Sequence, residues 1–188
     1  MKFAFIIYDG MTLLDFAGTY DPVTRLKTMG FMPDFEYDVC AFKETVRSFE
    51  GIELKAGKTQ NDLRCYDYIF IPGGNGIAEL LRDKAFLLWI STVSPSAILT
   101  AVCGGSLILG AAGFLKGRKA TTHPNLVQYL KKFTDIIPDS RIVDDGKLIT
   151  AGGVTSSIDL GLYLCEKIAG KESREKIQRQ MDYLAYTV

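Results

Sequence analysis

The sequence has one histidine, no excess charge of either sign and no long apolar run. Its 22 basic residues balance 22 acidic residues, so it lacks the electrostatic footprint of proteins that bind nucleic acid or anionic lipid. The apolar run at residues 2–8 stops at Asp9, too early for a signal peptide, and no run reaches the roughly 18 residues of a membrane span. We therefore expect a cytoplasmic protein that binds neither membrane nor nucleic acid.

Closely spaced cysteines are also missing. The four cysteines stand at positions 40, 65, 103 and 165 and form no C-x-x-C pair. This spacing argues against a zinc site and against a disulfide scaffold. A chain of 188 residues can bury a sizeable core without such staples. We expect free thiols, no metal and no cofactor.

Strand-like apolar runs alternate with helix-like segments along the chain. The predicted strands are 2–8, 35–42, 67–71, 97–102 and a hairpin, 142–143 with 148–149, whose turn is Asp145-Gly146. The predicted helices are one from Pro22 to about Gly30, then 77–82, 85–92, one from Ser106, 156–169 and 172–185. This alternation predicts one α/β domain over residues 1–188, with a mostly parallel sheet sandwiched by helices.

Cys103 stands directly after the buried run 97–102 and before a glycine pair that opens a helix. Such a tight turn projects a side chain at the carboxyl end of a strand, where ligands bind in parallel sheets. Since helix N-termini favour anions, we expect a lowered pKa for Cys103. The amide of Gly104, with that of Gly73 or Gly74 from a second glycine-rich loop, is suited to hold a developing negative charge. The other cysteines are interpreted as structural.

These segments together resemble the ThiJ/PfpI superfamily, which is related to class I glutamine amidotransferases. The matching segments are LDFAG (14–18), IPGGNG (71–76), TAVCGGS (100–106), LGAAGFLKGRKATTH (109–123), ITAGGVT (149–155), IDL (158–160) and QMDY (180–183). The resemblance implies a flavodoxin-like fold, a homodimer with its site near the interface, and Cys103 as nucleophile. ATTH (120–123) and AGGVT (151–155) favour the isonitrile hydratase branch.

Two positions depart from the usual pattern of the superfamily. The residue after the cysteine is usually threonine in the hydratase branch and histidine in the peptidase branch, whereas this chain has Gly104. That position therefore offers only its backbone N–H. The usual Gly-Pro-Tyr-Glu segment is here Gly-Thr-Tyr-Asp, at residues 18–21.

Asp15 follows the first predicted strand. The resemblance places the corresponding aspartate of the hydratases beside the cysteine sulfur. A protonated Asp15 would donate a hydrogen bond to the sulfur and lower the cysteine pKa, and an ionised Asp15 would raise it. The pair is expected to titrate as a coupled unit. The alternative is that Asp15 only caps a helix beginning near Phe16.

His123 is the only histidine, so any Cys–His mechanism depends on it. A purely structural role is equally open. Two further carboxylates are interpreted as structural. Asp21 precedes Pro22 as a helix cap would, and Asp159 lies at the start of a helix.

The leading functional hypothesis is a cysteine-dependent enzyme that acts on a small molecule, resembling an isonitrile hydratase. Cys103 would be the nucleophile and Asp15 the acid. Glyoxalase or deglycase activity and amidase or peptidase activity are the enzymatic alternatives, of which the peptidase is disfavoured by Gly104. The non-enzymatic alternative is a redox sensor based on Cys103.

Overall fold

A computed structural model describes residues 1–185. At its centre lies the first predicted strand, β1 (Lys2–Ile7). Its residues from Phe3 to Ile7 are completely buried, which explains why this run is continuously apolar rather than alternating. The rings of Phe3 and Phe5 stack at 4.4 Å and anchor the aromatic part of the core.

In the described part of the chain, nine strands form a seven-stranded sheet and a separate two-stranded ribbon. After β1 come β2 (Glu36–Ala41), the ribbon β3 (Thr45–Arg47) and β4 (Glu53–Lys55), β5 (Lys58–Thr59), β6 (Tyr68–Ile71), β7 (Ile98–Val102), β8 (Ile142–Asp144) and β9 (Leu148–Ala151). The order across the sheet is β5-β2-β1-β6-β7-β9-β8, and only β8 runs antiparallel to its neighbour. The five main parallel strands are β2, β1, β6, β7 and β9 in their order across the sheet. Numbered among themselves along the chain, they follow the order 2-1-3-4-5 of the predicted flavodoxin-like fold.

The helices form two groups. One contains α1 (Leu13–Thr28), α6 (Ser156–Ala169) and α7 (Lys171–Gln180), which pack on one another. The other contains α2 (Ile77–Leu80), α3 (Lys84–Ser91), α4 (Gly105–Ala111) and α5 (Val127–Leu130). The predicted α/β sandwich is confirmed. Within residues 1–185, no helix has the length and apolar composition needed to span a bilayer.

The first helix differs from its prediction. Helix α1 begins at Leu13, so Pro22 lies in its interior instead of opening it. A proline there leaves the Gly18 carbonyl without its helical partner. Gly161 of α6 packs directly over Pro22, and a Cβ on Gly161 would come within 3.1 Å of that carbonyl oxygen. Close packing between α1 and α6 therefore compensates for the preference of proline for the first turn of a helix, on which the prediction was based.

Three smaller differences follow from burial and local pairing. Helix α7 ends at Gln180, short of the predicted 185. The expected alternation of burial along β2 is lost at Cys40 and Ala41, which are both buried, as is typical where both faces of a parallel strand are covered. The ribbon β3–β4 has no counterpart in the prediction, since three-residue strands leave almost no periodic pattern.

Candidate active site

The loops after β1, β6 and β7 meet at the carboxyl ends of these adjacent strands. The loops after β1 and β6 are joined directly, since Met11 and Gly74 form an isolated bridge and the Thr12 N–H donates to the Gly73 carbonyl at 2.9 Å. This point lies between β1 and β6, where the strand order of the parallel sheet reverses. Crevices at such a reversal are the usual ligand sites of open α/β sheets.

Cys103 occupies the turn between β7 and α4 with φ of +55°. This left-handed conformation is uncommon for a residue with a side chain and points to a functional constraint. The turn is held from both sides. The Cys103 N–H donates to the Ala151 and Gly152 carbonyls. The Cys103 carbonyl accepts hydrogen bonds from the Ser106 and Thr122 hydroxyls at 3.0 and 2.7 Å. The predicted strand–cysteine–helix turn is therefore present.

Asp15 lies in the first turn of α1 and is completely buried. Its Oδ2 accepts a hydrogen bond from the Gly73 N–H at 3.1 Å, whereas its Oδ1 has no partner among the described residues. A Cβ on Gly73 would lie 2.7 Å from both Asp15 Oδ2 and Cys103 Cβ. Gly73 thus permits the close approach of the carboxyl group and the cysteine, and Asp15 is not the local helix cap that the alternative interpretation proposed.

Burial and the interaction between the two groups control the protonation of this pair. Burial raises the pKa of Asp15 to about 7, against smaller opposing effects of Cys103 and the Gly73 N–H. Burial, followed by the charge of Asp15, raises the pKa of Cys103 to about 12, although two backbone amides oppose this. The expected lowering of the Cys103 pKa is therefore wrong, since the amides are outweighed. Between these values the pair as a whole retains one proton.

The two amides that lower the Cys103 pKa belong to Gly104 and Val154. The prediction included Gly104 but paired it with Gly73 or Gly74. The Gly73 N–H is instead used by Asp15, and Gly74 lines the cavity above the cysteine. Val154 was missed by the sequence analysis. Its φ of +33° turns the loop after β9 toward the sulfur, and the glycine pair before it in the chain is the only sequence feature that marks this turn.

His123 lies at the same site without bonding to the cysteine. It lines the cavity that contains Cys103, but its Nδ1 accepts from the Asn125 N–H at 3.1 Å. Its ring packs so closely on Gly153 that a Cβ there would overlap the ring. Among the described residues, no hydrogen bond joins His123 to Cys103. The geometry favours a structural role for this ring in shaping the wall.

The cavity above Cys103 has a volume of about 540 Å³. Its apolar wall comes from Ile77, Ala78, Leu81, Leu107, Leu126 and Tyr129. Thr12, Asn75 and Asn125 add neutral polar groups, and the described lining includes no aspartate, glutamate, lysine or arginine. A small, uncharged ligand fits such a site.

The remaining candidate residues lie in structural contacts. Asp21 pairs with Arg25 at 2.9 Å inside α1, so it is not the predicted helix cap. Asp159 is buried and accepts from Arg141 and Tyr183, which agrees with a structural role. All four cysteines are free, as predicted. Residues 1–185 hold no cluster of His, Cys, Asp and Glu suited to a metal ion.

Comparisons with known proteins agree with this geometry. Residues 1–167 match the model of the DJ-1/PfpI family. The chain is 34% identical to isonitrile hydratase from Pseudomonas putida, over 97% of this chain and 78% of that protein. It is 25% identical to DJ-1alpha from Drosophila melanogaster, over 94% of this chain and 81% of that protein.

Solved structures show the same fold. A ThiJ/PfpI family protein from Pseudomonas syringae superposes with a TM-score of 0.89 at 31% identity, covering 97% of this chain and 75% of that one. Schizosaccharomyces pombe DJ-1 has a TM-score of 0.80 at 19% identity, covering 96% and 98%. The family match spans most of the sequence, and the likeness to the hydratase covers nearly all of it. The chain belongs to the DJ-1/PfpI family.

Proposed function

We propose that this protein is an isonitrile hydratase that converts a small isonitrile and water into an N-substituted formamide. The observation that carries the proposal is the buried pair of Asp15 and Cys103, which holds one proton between about pH 7 and about pH 12. Likeness to a protein named isonitrile hydratase supports the same reaction. The uncharged cavity over Cys103 is suited to a neutral substrate.

The first half of the reaction uses the shared proton. The pKa values place this proton mainly on Cys103 at neutral pH. In the reactive form it has moved to Asp15, which leaves the sulfur as a thiolate. The sulfur attacks the terminal carbon of the isonitrile, and Asp15 protonates that carbon, which gives a thioimidate and a carboxylate. The sulfur loses its negative charge and the Asp15 carboxyl group gains one, and these two groups already interact in the folded protein. The amides of Gly104 and Val154, which face the sulfur, stabilise the thiolate before attack.

The second half restores the pair. Asp15 now acts as a base toward water, whose oxygen bonds to the thioimidate carbon while one proton passes through Asp15 to the nitrogen. The resulting tetrahedral intermediate collapses, the carbon–sulfur bond breaks, and the hydroxyl proton returns to Asp15. The products are the formamide, the thiolate and the protonated acid, so no external oxidant, reductant or cofactor is consumed.

Hydration of cyclohexyl and benzyl isonitrile, followed by NMR of the formamide, tests the proposal. We expect Cys103→Ala to abolish turnover and Asp15→Asn to reduce it by about 100-fold or more, since a positioned acid contributes this much. Cys65→Ala is the matched control, because Cys65 is exposed and outside the cavity, and it should keep wild-type turnover. Absence of turnover by the wild type with both isonitriles would refute the proposal.

An amidase or peptidase receives less support from the geometry. Such a reaction needs a base that takes the thiol proton and later protonates the leaving amine. His123 is the one histidine of the chain, and its Nδ1 already accepts a hydrogen bond from Asn125. The groups that act on the Cys103 thiol are an acid and two amides, which suit addition to a carbon–nitrogen multiple bond better than amide cleavage.

A further inference from the structure

The cavity wall beside Cys103 has its shape because the next residue, Gly104, has no side chain. A Cβ on Gly104 would overlap Ile77 Cδ1 and come within 3.3 Å of Leu126 Cδ1. The space next to the nucleophile is therefore filled by the end of the Ile77 side chain. Ile77 is 8% exposed and begins α2 directly after the glycine-rich loop, so its backbone position is set by the same loop that contacts Asp15.

The surroundings of Ile77 continue this apolar surface outward. Leu107 is almost fully buried in α4, and Tyr129 is 54% exposed, so the wall extends from the protein interior to the solvent. The described lining has no aspartate, glutamate, lysine or arginine side chain. A charged group placed on this wall would lose its hydration without gaining a partner, which is costly.

We infer that Ile77 is a specificity-determining residue, and that the cavity selects ligands whose substituent is neutral, apolar and limited in width at Ile77. This inference rests on the proposed function, in which the substituent is the group on the isonitrile nitrogen. Attack by Cys103 places the reacting carbon at the sulfur and directs that substituent along the wall. The ligand class is thus alkyl and aryl isonitriles without a charged group.

Alkylation of Cys103 measures this selectivity without requiring turnover. Iodoacetamide, N-cyclohexyl iodoacetamide, N-adamantyl iodoacetamide and iodoacetate form a series in size and charge. The rate at Cys103 is divided by the rate at exposed Cys65 in the same mass-spectrometric run, which cancels the intrinsic reactivity of each reagent. In the wild type we expect this ratio to be at least about tenfold higher for the cyclohexyl amide than for iodoacetate.

Ile77→Ala should raise the ratio for the adamantyl reagent by about tenfold or more, because even one missing methylene changes the discrimination of an apolar pocket by about that factor. The ratio for iodoacetamide should change little. Ile77→Leu preserves volume and tests for loss of folding, and Leu88→Ala is the matched control, since Leu88 is 69% exposed and outside the cavity. Equal ratios for iodoacetate and the neutral reagents, or an unchanged size series in Ile77→Ala, would overturn the inference.

The same variants separate this inference from the proposed function. Selective alkylation without hydration of any isonitrile would leave the apolar wall established and refute the hydratase. Hydration without size or charge selectivity would support the hydratase and refute the role of Ile77.

Discussion

Replacing Asp15 by asparagine should stabilise the fold while reducing turnover by about 100-fold or more. Burial raises the pKa of this carboxyl from its ordinary value of 3.8 to about 7. Because the folded state holds the proton more tightly than the unfolded state, the wild type loses stability as the pH rises from about 4 to about 7. The difference is roughly three pKa units, each about 1.4 kcal/mol, so the ionised group costs about 4 kcal/mol above neutrality.

Asparagine removes this cost and keeps the shape. Its carbonyl oxygen can accept from the Gly73 N–H as Oδ2 does, and its amide nitrogen takes the place of the unpartnered Oδ1. At about pH 5 the wild type bears roughly 1.5 kcal/mol of the cost, and at about pH 8 nearly all of it. The stability gap between Asp15→Asn and the wild type should therefore widen by about 2.5 kcal/mol between these two pH values.

Urea unfolding of both proteins at the two pH values measures this gap, because groups shared by both proteins cancel. Asp21→Asn is the matched control on the same helix. Its side chain is 50% exposed and paired with Arg25, so its effect should stay within about 0.5 kcal/mol at both pH values. A gap for Asp15→Asn that is the same at both pH values, or that narrows with rising pH, would refute the assigned cost of the buried carboxylate.

Two further predictions concern His123 and the helix packing. Because its Nδ1 bonds to Asn125, His123→Gln should change the alkylation rate of Cys103 by less than about threefold; a drop of tenfold or more would assign it the role of base. Gly18→Ala should lower the free energy of unfolding in urea by about 1–2 kcal/mol, since its Cβ would overlap the Ser157 hydroxyl of α6. An unchanged or raised urea midpoint would contradict this close helix contact.

The elements predicted best are those with long, uniform patterns. The strands at the sheet centre are continuously apolar because both faces are covered, and a glycine pair directly follows the cysteine that comes after the run 97–102. Both features are local, so they are visible in sequence. The predicted start of α1 was wrong because Pro22 is a typical first helical residue. The position of Pro22 inside the helix depends on its packing against Gly161, which is 139 positions further along the sequence.

The site shows the same division. Asp15 was singled out through the family resemblance and not through its local pattern, which favours a cap. The pKa of Cys103 was expected in the wrong direction, because the effect of a helix end is local and visible in sequence. Burial and the charge of a group 88 residues away in sequence are not local, and they outweigh it. The role of the Val154 amide was not predicted, because the glycine pair before Val154 is the only local feature that marks this turn.

The sequence by itself determined the α/β alternation, the position of Cys103 at a strand end and the absence of paired cysteines, because these depend on neighbouring residues and composition. Only the tertiary structure decided which carboxyl group contacts the sulfur, which amides face it, and how the His123 ring is oriented. Those contacts arise because strand order and close packing bring loops from distant parts of the chain together. A short-range sequence pattern does not show which distant residues become neighbours.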